Sequence, residues 1–125
     1  MNLSEEKNRQ KLGKLGELRA ATYLQERGFS IIERNFRARY GEIDIVAHDH
    51  NTLVFVEVKT RISRQYGLPE EAVTPKKLRE IIQTAAVYTL RHHMQKMLQR
   101  IDVIAIQMNP DYTVKTIHYI ENVTS

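Results

Sequence analysis

Asp44, Glu57 and Lys59 stand as isolated charges in a stretch otherwise rich in isoleucine and valine. Glu42-Ile43-Asp44-Ile45-Val46-Ala47 has the pattern of a short strand, opened by Gly41. His48-Asp49-His50-Asn51 has turn chemistry, and Thr52 to Thr60 is a second, valine-rich strand. Together they predict a β-hairpin. If Ala47 faces Thr52 across a four-residue turn, Asp44 faces Phe55 and Glu42 faces Glu57. Side chains alternate along a strand, so Asp44, Glu57 and Lys59 share one face, with Asp44 and Glu57 as diagonal neighbours. Val54, Val56 and Val58 take the other face and can enter a core. Two ionised carboxylates this close are costly unless something cationic lies between them. A hard divalent cation meets that need; Mg²⁺ is usually held by one or two carboxylates plus waters and substrate phosphate. The plainer alternative is a charged strand end at which Lys59 neutralises one acid at the surface, a common and weak arrangement. Glu42 weighs against it, because it adds a third acid to the same face and folding gains little from stacking acids there.

The elements that must position this hairpin follow from the rest of the chain. From about Gly13 to Arg27, Leu15, Leu18, Ala21 and Leu24 recur at roughly helical spacing, and Gly28 supplies a left-handed stop. Residues 1–12 read as a loose lead-in. Phe29, Ile31 and Ile32 suggest a first strand ending around Asn35. Ser63 to Val73, with Gly67 and Pro69, reads as a loop. Thr74 then caps a helix opened by Pro75 and running to about His93, with Leu78, Ile81, Ile82, Ala85 and Tyr88 on its apolar side. Strands follow from Ile101 to Met108 and from Tyr112 to Ile120, separated by the turn Asn109-Pro110-Asp111. A helix, three strands, a helix and two strands are most economically packed as a mixed sheet flanked by helices, an α/β domain spanning residues 1–125.

Composition narrows the chemistry. The 125 residues are 42% apolar and 27% charged, within the range of a globular chain with one core. There is no cysteine, which removes disulfides, zinc-thiolate sites and thiol catalysis, and leaves carboxylates and histidines as metal ligands. No apolar run reaches the roughly 18 residues of a membrane span. The segment from Met1 to Lys11 is polar and lacks an apolar signal core, so the expected compartment is the cytoplasm. A net charge of +4 suits an anionic partner. Basic residues gather at Arg34, Arg37 and Arg39, at Lys59, Arg61 and Arg64, and at Lys76, Lys77 and Arg79. Lys76 and Lys77 open the second helix, where backbone N–H groups already favour an anion, so a phosphate contact and a solvated first turn both fit. Arg34, Arg37 and Arg39 can clamp nucleic-acid backbone, and Tyr40 and Tyr66 can stack on a base, though tyrosines near loops are more often packed. His48, His50, His92 and His93 lack metal-site spacing and read as structural or solvated. Asp102, in an apolar strand, reads as a buried hydrogen-bonded group.

Glu17 on the first helix, Gly41-Glu42-Ile43-Asp44, and Phe55-Val56-Glu57-Val58-Lys59-Thr60-Arg61, with Arg100-Ile101-Asp102-Val103 downstream, together resemble the PD-(D/E)xK nuclease superfamily. Within it the chain is similar to the YraN family, small bacterial proteins related to archaeal Holliday junction resolvases. The likeness covers about Leu12 to Ile106. Ile43 stands where the superfamily motif has proline. The resemblance implies a restriction-endonuclease-like fold and Mg²⁺- or Mn²⁺-assisted hydrolysis of DNA, branched or structured DNA included. It implies that Asp44, Glu57 and the backbone carbonyl of Val58 bind the metal. Lys59 would orient or deprotonate the attacking water, and Glu17 would reach the same centre from the first helix. Arg37, Arg39, Arg61, Lys76 and Lys77 would then contact DNA, and a homodimer is expected by the same likeness. A nucleic-acid-binding module that kept the fold and lost turnover remains the alternative, as does a structural part of a larger repair complex.

Overall fold

The computed structural model describes residues 2–62 and 73–124. Helix α1 spans Leu3–Glu26, β1 Ser30–Ala38, β2 Gly41–Asp49, β3 Thr52–Ile62, α2 Pro75–Arg91, β4 Leu98–Met108 and β5 Val114–Ile120. The element order is the one expected. Of the loop expected from Ser63, only Val73 is described; Arg64 and Tyr66 lie outside the described residues.

Helix α1 begins ten residues before the expected Gly13, so the stretch taken as a loose lead-in is helical. Its local chemistry explains why. Asn2 is the N-cap, its side-chain oxygen accepting the Glu5 amide at 2.8 Å, and Glu5 and Glu6 place negative charge on the first turn. The first turns carry almost no buried side chains, so no apolar periodicity marks them. Burial begins at Gly16 and continues through Ala20, Ala21 and Leu24. The helix ends as expected: Gly28 takes a φ of 91°, the Phe29 amide donates to Leu24 O and the Gly28 amide to Gln25 O, a Schellman closure.

The five strands form one sheet in the order β1-β2-β3-β4-β5, antiparallel except for the parallel β3–β4 pair. That mixed sheet with two helices is the expected α/β fold and is compatible with the nuclease-like architecture. The parallel pair needs a crossover, and α2 lies on it. Helix α1 packs on one face against β3 and β1, and α2 on the other against β2 and β1. One core therefore joins Ala20, Leu24, Ile45, Val54, Val56 and Ile104 under α1. The other joins Val46, Phe55, Ile81, Ala85 and Tyr88 under α2.

The hairpin register differs from the expectation. Asp49 pairs with Thr52 and Ala47 with Val54, because the turn is only His50-Asn51, with His50 at a left-handed φ of 56°. The slip is of two residues, an even number, so over the paired stretch Ile45–Asp49 the side chains keep their faces, while Ile43 beyond it packs with Val46 and Phe55. Val54 and Val56 enter the core under α1, while Phe55 and Glu57 turn to the side of α2. Strand β1 also runs three residues past Asn35. Asn35 has a φ of 57°, which the sequence offers as a stop and the structure uses as a kink inside the strand.

On the neighbouring strand β4, beside Val56, Asp102 is fully buried, as its apolar setting suggested. Its carboxylate accepts from Arg100 Nε at 3.2 Å, from the Asn122 amide at 2.9 Å and from the Tyr119 hydroxyl. Arg100 also pairs with Asp49 at 2.9 Å and Glu121 at 3.3 Å. This acid is satisfied on every side, which fits a structural role.

Candidate active site

The β2–β3 ladder is paired as far as Ile45 and Val56. One step on, the Val58 amide donates to Asp44 Oδ2 at 2.8 Å, so a carboxylate replaces the carbonyl that a continued ladder would have supplied. This places the Asp44 side chain beside Glu57, close enough for the two carboxyl groups to share a hydrogen bond. Glu57 is buried, with 8% of its surface exposed. Burial, then the charge of Asp44, push its carboxyl up to about 8, and Lys77 and Lys59 offset only part of this. Lys77 Nζ lies 3.7 Å from Glu57 Oε2.

Glu17 reaches the same place from α1. Burial, then the charges of Asp44 and Glu42, raise its carboxyl above the usual range, while Arg34 and Asn35 pull it back. The Asn35 amide spans two acids, donating to Glu17 Oε1 at 2.8 Å and Glu42 Oε1 at 2.9 Å. Glu42 also pairs with Arg37 at 3.4 Å. The third acid foreseen beside Asp44 and Glu57 is thus held by its own partners at the rim. The tight approach of α1 makes this possible: a Cβ on Gly16 would meet Thr60 Oγ1 at 1.8 Å, so only glycine lets the helix carry Glu17 this close to β3.

A cleft of about 520 Å³ gathers these groups. It is lined by the acids Glu17, Glu42, Asp44 and Glu57 and by the basic side chains of Arg9, Lys59, Arg61 and Lys77. Of the residues singled out from sequence, the cleft unites Glu17, Asp44, Glu57, Val58, Lys59, Arg61 and Lys77. Arg37, Arg39 and Lys76 lie on the exposed surface and do not line it. Sequence reasoning missed Arg9 and Asn35. Arg9 was hidden by taking the first turns as unstructured, although Asn2 with Glu5 and Glu6 carries a helix-start signal. Asn35 looked like a strand end; asparagine's ease with positive φ was the available clue.

Among the described residues no group of three or more His, Cys, Asp or Glu side chains converges in a way that could hold a metal ion. The protein's side-chain donors at this centre are two carboxylates, Asp44 and Glu57. Such a set fits Mg²⁺, which keeps several waters, better than an ion requiring an all-protein cage. No helix among the described residues is long and apolar enough to cross a membrane.

Fold and site together define a mixed α/β domain with a half-buried carboxylate pair in a cleft also lined by basic side chains. A family profile described as "Uncharacterised protein family UPF0102" matches residues 16–106. Among relatives, a UPF0102 protein of Geotalea daltonii is 50% identical over 111 residues, covering 89% of this chain and 87% of that one. One from Geobacter sulfurreducens is 52% identical over 101 residues, covering 80% and 79%. One from Caldicellulosiruptor saccharolyticus is 41% identical over 115 residues, covering 92% and 98%. The chain belongs to the UPF0102 family, in agreement with its likeness to the YraN group.

Proposed function

We propose that this domain is a Mg²⁺-dependent nuclease that hydrolyses phosphodiester bonds in DNA, branched or structured DNA included. The observation that carries the proposal is the Glu57–Asp44 pair, its Glu57 buried where folding alone gains nothing from it, in a cleft also lined by basic side chains. Asp44, Glu57 and the Val58 carbonyl would hold the ion. A bound divalent ion polarises a phosphoryl oxygen and lowers the pKa of a coordinated water. Lys59, exposed on the strand of Glu57, is free to swing over the cleft and orient the attacking water or offset phosphate charge. Glu17 presents a carboxylate from the opposite wall, suited to receiving a proton because its own affinity for one is raised. Arg9 and Arg61 line the approach with positive charge, and Arg37 and Arg39 extend it over the β1–β2 edge.

A binding module without turnover draws support from the small number of converging side-chain ligands. The test separating the two is incubation of purified protein with linear, single-stranded, flapped and four-way DNA, with Mg²⁺ or Mn²⁺ and with chelator. Chelator-sensitive cleavage that disappears in Glu57→Gln, with DNA binding retained, supports the nuclease. Tight binding with no cleavage of any substrate under either metal supports the silent module. Cleavage at the wild-type rate by Glu57→Gln would refute the site.

A further inference from the structure

Lys77 stands out against the local rules of its helix. It lies in the first turn of α2, whose N-cap is Thr74, with Oγ1 accepting the Lys77 amide at 3.1 Å. That turn contains no acid and two lysines, Lys76 and Lys77, where the helix dipole favours negative charge. The Lys77–Glu57 pair is half-buried, and Lys77 offsets only part of what burial and Asp44 impose on Glu57, so the pairing leaves the acid strained. The Lys77 ammonium sits 3.7 Å from the buried Glu57 carboxylate, at the mouth of the Asp44–Glu57 pair. Lys59, the motif lysine, is the more exposed of the two and opens toward the cleft from the strand.

We infer that Lys77 is the resident cation of the carboxylate pair: it holds Glu57 while no divalent ion is bound, and is displaced onto the substrate phosphate when the ion arrives. This rests on the nuclease reading of the site. Three features support it. A divalent ion shared by Asp44 and Glu57 places positive charge where the ammonium now lies, and two cations cannot share that approach without repulsion. Lysine is a compact charge on a flexible stem, able to leave a carboxylate without moving the backbone. The same α2 N-terminus carries the positive end of its helix dipole, which favours an anion, so the released ammonium and the helix end converge on one phosphate. Lys77 is then a positioning residue in the metal-free state and a substrate-binding one in the loaded state. Lys59 keeps the role proposed for it above, orienting the attacking water or offsetting phosphate charge.

Metal binding tests this without any substrate. Mn²⁺ titrations of the chelator-stripped full chain at about pH 8.5, where Glu57 is mostly ionised, read by the electron paramagnetic resonance of free Mn²⁺, would compare wild type with Lys77→Met, Lys77→Arg, Lys76→Met and Glu57→Gln. Removing a unit charge about 4 Å from a ligand oxygen should tighten Mn²⁺ binding on the order of tenfold in Lys77→Met, after allowing for partial exposure. Lys77→Arg should stay near wild type, Lys76→Met should be unchanged, and Glu57→Gln should lose the site. A second arm measures a labelled DNA duplex. Lys77→Met should bind it like wild type in chelator and several-fold more weakly in Ca²⁺, because the lysine reaches phosphate only after displacement. Equal or weaker Mn²⁺ binding by Lys77→Met, with the site intact and lost in Glu57→Gln, overturns the inference and leaves the nuclease reading standing. An equal DNA defect with and without Ca²⁺ overturns the displacement. No Mn²⁺ binding by wild type at millimolar ion overturns both readings.

Discussion

Replacing Glu57 with glutamine should make the metal-free protein more stable, and only above mildly acidic pH. Glutamine keeps the shape of the side chain and its capacity to hydrogen-bond Asp44, and removes the ionisation. In the folded wild type the Glu57 carboxyl titrates near 8 against a usual 4.5, chiefly from burial and then from Asp44. A raised carboxyl pKa means that the folded state binds the proton more tightly than the unfolded state. Its contribution is therefore fully present below about pH 4.5 and is lost as pH rises through about 8. The gap sets a ceiling of about 5 kcal/mol, at about 1.4 kcal/mol per decade. Asp44 shares the effect, and relaxation around a cleft-facing group screens part of it, so about 2–4 kcal/mol is expected. For a chain of this length that is a melting-temperature gain of roughly 6–15 °C at pH 9, and close to none at pH 4.5. Thermal melts in chelator from pH 4.5 to 9 would measure it, and saturating Mg²⁺ should narrow the gap by stabilising wild type alone. A variant that melts below wild type at pH 9, or a difference that ignores pH, would refute the assignment of Glu57 as a strained acid.

Three further outcomes are expected. Gly16→Ala should destabilise by about 1–3 kcal/mol, because its Cβ would fall on the Thr60 side chain; Thr60→Gly should recover part of the loss in chemical denaturation. Asp102→Asn should cost about 3–5 kcal/mol by leaving Arg100 without its buried partner, measured by urea unfolding at neutral pH. Arg37→Ala with Arg39→Ala should weaken DNA binding equally across sequences and flatten the salt dependence by about two in log–log slope; unchanged slope would remove both arginines from the interface.

The parts of the fold legible in sequence were those where packing and pattern agree. β3 declares itself through Val54, Val56 and Val58, and α2 through Thr74, Pro75 and a clear apolar side. The hairpin register was misjudged, since the turn was taken as four residues and His50 closes it in two. The face assignment of Val54, Val56 and Glu57 survived because pleating repeats every second residue and the error was even. The start of α1 stayed hidden because it packs against little; its capping chemistry was present but carries no periodicity. The depth of Glu57 was not legible either. Burial of one acid depends on where α2 ends up, which the alternation of β3 does not encode. Lys77 looked like a generic phosphate contact for the same reason, since its distance to Glu57 is set by the crossover between β3 and β4.

The sheet holds two buried carboxylates nearly back to back. Val56 lies beside Asp102 and Glu57 beside Val103, so one residue of register and the thickness of a strand separate them. Asp102 is met by an arginine, a tyrosine hydroxyl and a backbone amide; Glu57 is met by another acid and a half-exposed lysine. Neutral drift under selection for folding alone would treat these neighbours oppositely. Asp102 would be retained because its replacement takes from Arg100 its buried partner and from the Tyr119 hydroxyl and Asn122 amide their acceptor. Glu57 would be discarded early, since glutamine, leucine or methionine in its place relieves the fold. Laboratory passage of a gene library under a screen for soluble, heat-resistant protein would therefore erode the cleft first and leave the Asp102 cluster beside it intact. A lineage that keeps a glutamate at this position is answering to something other than its own stability.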